Sequence, residues 1–208
     1  MGPVDDDVEA GSGGPDDRHD PDDRHMRSLG RTVVEWLVVI GCGVLIAVGA
    51  REFLVQAFWI PSPSMSPTLE VDDRVLVNKL SYLTHDVNHG DLVVFERPPQ
   101  ASSDQDGEIK DLIKRVIAVG GDTIECHDST IYINGEGRDE PYLVDGTPAC
   151  GGGSCELDRQ EIPDGMVFVM GDNRTNSEDS RCFGPIDEDT IVGRAFITVL
   201  PLSRLGWL

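Results

Sequence analysis

Seven short stretches rich in β-branched and aromatic residues, each bounded by turn signals, constrain this chain more than any other feature. They read RVLVNKL (74–80), DLVVFERP (91–98), DLIKRVIAV (111–119), TIEC (123–126), TIYING (130–135), MVFVMGD (166–172) and RAFITVL (194–200). Runs of this length and composition suit strands of a sheet. Asn134-Gly135 is a hairpin-type turn between two of them. No long amphipathic helical pattern occurs after residue 53, so residues 53–208 are predicted to be mostly β. In the stretch 111–119, strand alternation predicts that Leu112, Lys114, Val116 and Ala118 share one face.

Ahead of the strands lies TVVEWLVVIGCGVLIAVGA, Thr32 to Ala50, closed by Arg51 and Glu52. As a helix this run would be about 28 Å long, close to the hydrocarbon thickness of a bilayer. It is predicted as a single transmembrane helix over 31–52, with Glu35 and Trp36 at one interface and Arg51 at the other. Arg27 and Arg31 then favour a cytoplasmic N-terminus. A buried soluble helix is the first alternative, opposed by how little of its circumference is polar. A cleavable signal peptide is the second, because Val48-Gly49-Ala50 offers small residues, and the long acidic leader opposes it. Residues 1–30, rich in Asp, Gly and Pro with a tandem PDDRH, are predicted as a disordered acidic cytoplasmic tail.

Charge narrows the chemistry. A formal net charge of −21 argues against a nucleic-acid partner. None of the five histidines lies in a segment that looks constrained, so a Ser-His-Asp arrangement has no evident base and no metal site is assigned. Lysine is scarce, at Lys79, Lys110 and Lys114, while arginine carries most positive charge. Arginine stays charged in proteins, whereas a buried lysine can become neutral and act as a base. Lys114 lies among apolar residues that would lower its pKa. A solvent-seeking edge-strand lysine is the plainer reading of that segment.

Two further segments carry candidate chemistry. IPSPSMSPTL (60–69) alternates serines with prolines, each of which fixes its own backbone and extends the residue before it. The segment is therefore held rather than loose, with Ser62, Ser64 and Ser66 roughly on one side. GDNRTNSEDSRCFG (171–184) follows a strand, and Asp172, Arg174, Asp179 and Arg181 suit either a solvated loop or a hydrogen-bonded scaffold. Cys150 and Cys155 flank a Gly-rich loop and suit a short disulfide, while Cys126 and Cys182 are left free or paired with each other.

The order of an N-terminal apolar helix, IPSPSMSPTL, RVLVNKL, KRVIAVGGD and GDNRTNSEDSR resembles bacterial type I signal peptidase from about residue 31 to the C-terminus. The resemblance implies a membrane-anchored, extracytoplasmic, β-rich Ser-Lys endopeptidase with a smaller β insertion at about 127–163. It implies Ser64 as nucleophile and Lys114 as general base, a choice of Ser64 over Ser66 that the residues alone do not make. Ser62 and the backbone N–H of Ser64 would form the oxyanion hole. Ser177 would orient Lys114, with Asp179, Arg181, Asp172 and Arg115 in support. Phe58, Ile60, Met65, Leu69 and Ile113 would line shallow subsites for small residues in exported preproteins. Partners would be preproteins, the lipid bilayer and the secretion machinery, and the chemistry requires no cofactor. Pro63 stands where many relatives have glycine, and Leu112 where some have tyrosine; neither change removes the Ser64 N–H or the apolar setting of Lys114. A self-cleaving repressor-type Ser-Lys peptidase and an inactive peptide-binding protein are the rival readings.

Overall fold

The computed structural model describes residues 22–101, 109–150 and 157–208, and the chain divides into two compact units, Met1–Ala47 and Val48–Leu208. Helix α1 spans Asp22–Leu54, so Asp22 to Gly30 of the predicted tail are helical, and residues 1–21 lie outside the described residues. The prediction of a transmembrane helix over 31–52 is corrected here. Among the described residues no helix is long and apolar enough to cross a membrane. Charge also interrupts the apolar run. The uncharged stretch Trp36–Ala50 is only about 22 Å long as a helix, against a core of about 30 Å. It also carries Gly41, Gly43 and Gly49, and Arg31 and Glu35 pair with each other on the turn before it at 3.0 Å. The expected single-pass topology, with a cytoplasmic N-terminus and an extracytoplasmic domain, rested on that span and falls with it.

The second unit is β-rich. Its strands are β1 (Val55–Trp59), β2 (Arg74–Asn78), β3 (Leu92–Glu96), β4 (Asp111–Val119), β5 (Thr123–His127) and β6 (Thr130–Ile133). They continue with β7 (Glu136–Gly137), β8 (Gln160–Glu161), β9 (Met166–Met170), β10 (Ile186–Asp187), β11 (Ile191–Leu200) and β12 (Gly206–Trp207). One-turn helices α2 (Ser81–Thr84) and α3 (Ser180–Phe183) interrupt them. The larger sheet runs in the order β1-β2-β11-β3-β4-β9-β10 with β12 on β11, and the smaller runs β7-β6-β5-β8. Every pairing is antiparallel.

Alternation along these strands sorts the core. Leu92 and Val94 of β3 face a cluster containing Ile60, Met65, Leu69, Val75 and Val77. Val93 and Phe95 face another containing Val116, Val167, Val169 and Phe183. β9 divides likewise, sending Phe168 and Met170 to a third cluster with Ile124, Ile131 and Ile162 from the smaller sheet. Strands buried on both faces explain the unbroken apolar runs at 92–95 and 166–170. Leu112 and Val116 pack on one side as their spacing predicts, but Ala118 joins the third cluster. A register shift between Val116 and Ala118 turns the strand over at that point.

The disulfide expected between Cys150 and Cys155 is not the one formed. Cys150 is bonded to Cys126 on β5, with Cα atoms 6.1 Å apart, and Cys182 is also disulfide-bonded. Cys150 is buried in the third cluster, and Ala149 N–H donates to the Ser129 carbonyl at 3.1 Å, which draws the loop back over the smaller sheet. Cys42 is free and exposed.

Arg174, the largest fully buried side chain, ties this loop to the segment after β9. Its guanidinium donates to Glu140 Oε2 at 3.1 Å and Oε1 at 2.5 Å, to the Ala149 carbonyl, and to the Gly171 carbonyl at 3.1 Å. Glu140→Ala leaves that guanidinium buried without its carboxylate and is expected to cost about 3–5 kcal/mol. Urea unfolding monitored by tryptophan fluorescence checks this; a loss under about 1 kcal/mol would mean the pair is a surface contact in energetic terms.

Candidate active site

The site is built where three non-adjacent segments meet: the turn after β1, the middle of β4 and the loop after β9. Ser62 is extended, with φ −130° and ψ 154°, and Pro63–Met65 forms a single 3-10 turn. Proline at the first position of that turn loses only an N–H the turn would leave unpaired. Met65 and Leu69 are fully buried beneath it. Each buried side chain of this size contributes about 2–3 kcal/mol, so packing from below holds the segment down while Ser64 stays at the surface of the turn. Arg204 fixes the far end, donating to Asp73 at 3.0 Å and to the carbonyls of Pro67 and Thr68 at 3.3 and 3.2 Å.

Lys114 sits opposite Val93 in the register of β3 and β4 and is buried, 3% exposed. Its Nζ lies 2.6 Å from Ser64 Oγ. Ser62 Oγ donates to Ser64 Oγ at 3.2 Å. Burial pulls the Lys114 pKa down to about 8; the carboxylates of Asp179 and Asp172 act the other way. The amine is therefore largely available as a base in mildly alkaline solution.

Two buried ion pairs frame the lysine. Arg115 Nε and Nη2 donate to the Asp172 carboxylate at 2.9 and 2.7 Å, and Thr68 Oγ1 donates to the same carboxylate at 2.5 Å. Asp179 caps α3 and accepts from Arg181 Nε and Nη2 at 2.8 Å each and from the Gly171 N–H at 3.0 Å. Burial alone would raise the Asp179 carboxyl, but Arg181 and these donors hold it below the usual range. Ser177, expected to orient Lys114, does not hydrogen-bond to it. Its hydroxyl is buried, meets no hydrogen-bond partner of good geometry among the described residues, and lies near enough to Asp179 to help depress that carboxyl.

A cleft of about 680 Å³ opens over the dyad. Of the residues expected to line subsites, Phe58, Ile60 and Ile113 do so, beside Ser62, Ser64 and Lys114. Met65 and Leu69 do not line it; they belong to the core beneath. Leu112, Trp59, Arg97 and Asp111 are among the other residues of the cleft walls.

Some residues of the site were not singled out by sequence reasoning. A methyl at Gly171 would overlap Ser177 Oγ and the Ser64 carbonyl oxygen, so glycine there permits the loop to approach the Ser64 backbone. Its position at the end of an apolar strand, before Asp172, was the available signal. Thr68 lies 104 residues from Asp172, and nothing local pairs them. Asn173 donates to the carbonyls of Ser64 and Pro63 at 3.1 Å each.

Comparison with known proteins identifies the family. The family model described as "Signal peptidase, peptidase S26" matches residues 33–200. The signal peptidase I of Leptolyngbya laminosa is 37% identical over 177 residues, 85% of this chain and 84% of that protein. The signal peptidase IB of Staphylococcus aureus is 36% identical over 191 residues, 84% of this chain and 93% of that protein. The chain therefore belongs to the signal peptidase family S26, serine endopeptidases that release signal peptides with a Ser-Lys dyad.

Proposed function

We propose that Ser64 is the nucleophile and Lys114 the general base that cut signal peptides from preproteins. The observation that carries this reading is the 2.6 Å contact between a buried lysine amine and a serine hydroxyl at the floor of an open cleft. Neutral Lys114 takes the Ser64 proton as Oγ attacks the scissile carbonyl carbon. The resulting oxyanion is met by Ser62 Oγ and the Ser64 N–H. Such donors stabilise charge that develops only in the transition state. Collapse breaks the C–N bond, and the Lys114 ammonium gives its proton to the leaving amine. Water, deprotonated by Lys114, then hydrolyses the acyl-enzyme and frees Ser64.

The substrate would lie extended across the cleft, with Phe58, Ile60 and Ile113 filling the volume that larger side chains would need. This favours small residues ahead of the cut, as in an A-x-A-like site. Asp172 with Arg115 and Asp179 with Arg181 hold the loop that closes the site from below, and Ser177 stands ready beside it. Residues 53–208 would form the peptidase domain, with about 127–163 as its variable insertion.

Lys114→Arg keeps a positive charge but removes the base, and Ser64→Ala removes the nucleophile. Both are expected to lower preprotein cleavage on the order of 10⁴-fold or more while unfolding like wild type. Full activity in the arginine variant would sink the assignment of Lys114. The pH profile makes a second test. Because Lys114 must be deprotonated, log kcat/KM should rise with pH below about 8 and level off above it. A flat profile across that range would show that no group of this kind limits the reaction.

A further inference from the structure

Asn173 follows Asp172 directly and has no role in the chemistry described so far. Its backbone N–H donates to the Ser64 carbonyl, and its Nδ2 donates to the Pro63 carbonyl, each at 3.1 Å. The orientation of the side-chain amide follows from its partners. A carbonyl such as that of Pro63 can only accept, so it meets the NH₂ group, while Asn173 Oδ1 accepts from Thr175 Oγ1 at 3.4 Å. The Asn173 carbonyl in turn accepts from Asn176 N–H at 2.9 Å, which closes the turn that presents the side chain. A residue 110 positions away in sequence thus grips two successive peptide carbonyls at the nucleophile.

Peptide planarity converts this grip into a statement about catalysis. Across a trans peptide, the C=O of one residue and the N–H of the next point in opposite directions on one rigid plane. The Pro63–Ser64 peptide is not among the cis bonds of the chain. Its carbonyl is drawn to one side by Asn173 Nδ2 and by the Ser66 N–H, also at 3.1 Å. The Ser64 N–H is therefore held pointing to the opposite side. Pro63 has no N–H of its own, which leaves Ser64 as the first backbone donor of the turn.

We propose that Asn173 is a positioning residue that sets the Ser64 N–H as an oxyanion donor by fixing the Pro63–Ser64 peptide plane. This rests on the assignment of Ser64 as nucleophile. The Ser66 N–H alone is a local contact within the same turn and moves with it. Asn173 supplies the restraint from a separate segment, itself anchored through Asp172 to Arg115 and Thr68. A donor that needs no reorganisation during the reaction is worth more than one that must be reoriented.

The test compares Asn173→Ala and Asn173→Asp with wild type in preprotein cleavage. The aspartate variant keeps the size of the side chain and turns an acceptor toward the Pro63 carbonyl. Both are expected to lower kcat by about 10- to 100-fold, less than outright removal of an oxyanion donor, with KM nearly unchanged. In Asn173→Ala the pH midpoint near 8 should stay where it is in wild type, whereas the new carboxylate of Asn173→Asp raises it by favouring the protonated amine. With Ser62→Ala added, the combined loss should fall short of the product of the single losses, because both changes act on one oxyanion. Wild-type kcat in both variants, a rise in KM alone, or a displaced pH midpoint in Asn173→Ala would each overturn the proposal. Ser64→Ala, run in parallel, separates the two ideas. If it remains active, the nucleophile assignment fails; if it is inactive while both Asn173 variants are wild type, only the positioning role fails.

Discussion

Everything at this site depends on removing one lysine amine from water without giving it a free counter-ion. Burial disfavours the charged form of Lys114, and nearby carboxylates, Asp179 and Asp172 foremost and Glu178 least, favour it. Left unpaired, such carboxylates would keep the amine protonated. The two foremost are instead engaged by arginines, Arg181 for Asp179 and Arg115 for Asp172, at 2.7–2.9 Å. Arg181 itself also acts to lower the Lys114 pKa. Burial therefore prevails, and the amine titrates where it can accept a proton from Ser64.

The antiparallel sheet makes this arrangement possible at little cost in chain length. β4 lies between β3 and β9, so Lys114 is flanked by buried strands on both sides. The chain leaving β9 passes directly beneath Ser64, where Gly171 lets it come close enough for Asn173 to reach two carbonyls. The smaller sheet braces the same loop from behind through Arg174, Glu140 and Ala149, next to the disulfide at Cys150. Arg115 additionally stacks on the Tyr142 ring, with its Cζ 4.0 Å from the ring centroid. Restraint thus reaches Ser64 from below by packing, from behind by ion pairs and from one side by Asn173.

Period-2 alternation and turn residues act over a few positions, and the strands predicted at 74–80, 91–98, 111–119, 123–126, 130–135, 166–172 and 194–200 are present at 74–78, 92–96, 111–119, 123–127, 130–133, 166–170 and 191–200. Ser64 and Lys114 were legible as a pair only through the order of short motifs, since a serine between prolines and a lysine in an apolar strand each have plainer readings. Three expectations failed for physical reasons. A membrane span was inferred from local apolarity, yet no described helix is long and apolar enough to cross a bilayer. The family resemblance placed Met65 and Leu69 in the substrate cleft, but the chain turns at Pro63–Met65 and both side chains are buried in the core beneath. The disulfide was assigned to the nearest cysteines in sequence, whereas Cys150 is nearest in space to Cys126.

By itself, then, the sequence determined the β-rich class, the family, and the chemical types available at the site, because composition, alternation and motif order are local properties of the chain. Only the tertiary structure decided which groups meet. The separations are 50 residues for Lys114 and Ser64, 57 for Arg115 and Asp172, and 110 for Asn173 and Pro63. Contacts over such distances are set by strand register and by a glycine that allows two backbones to touch. No local pattern encodes either.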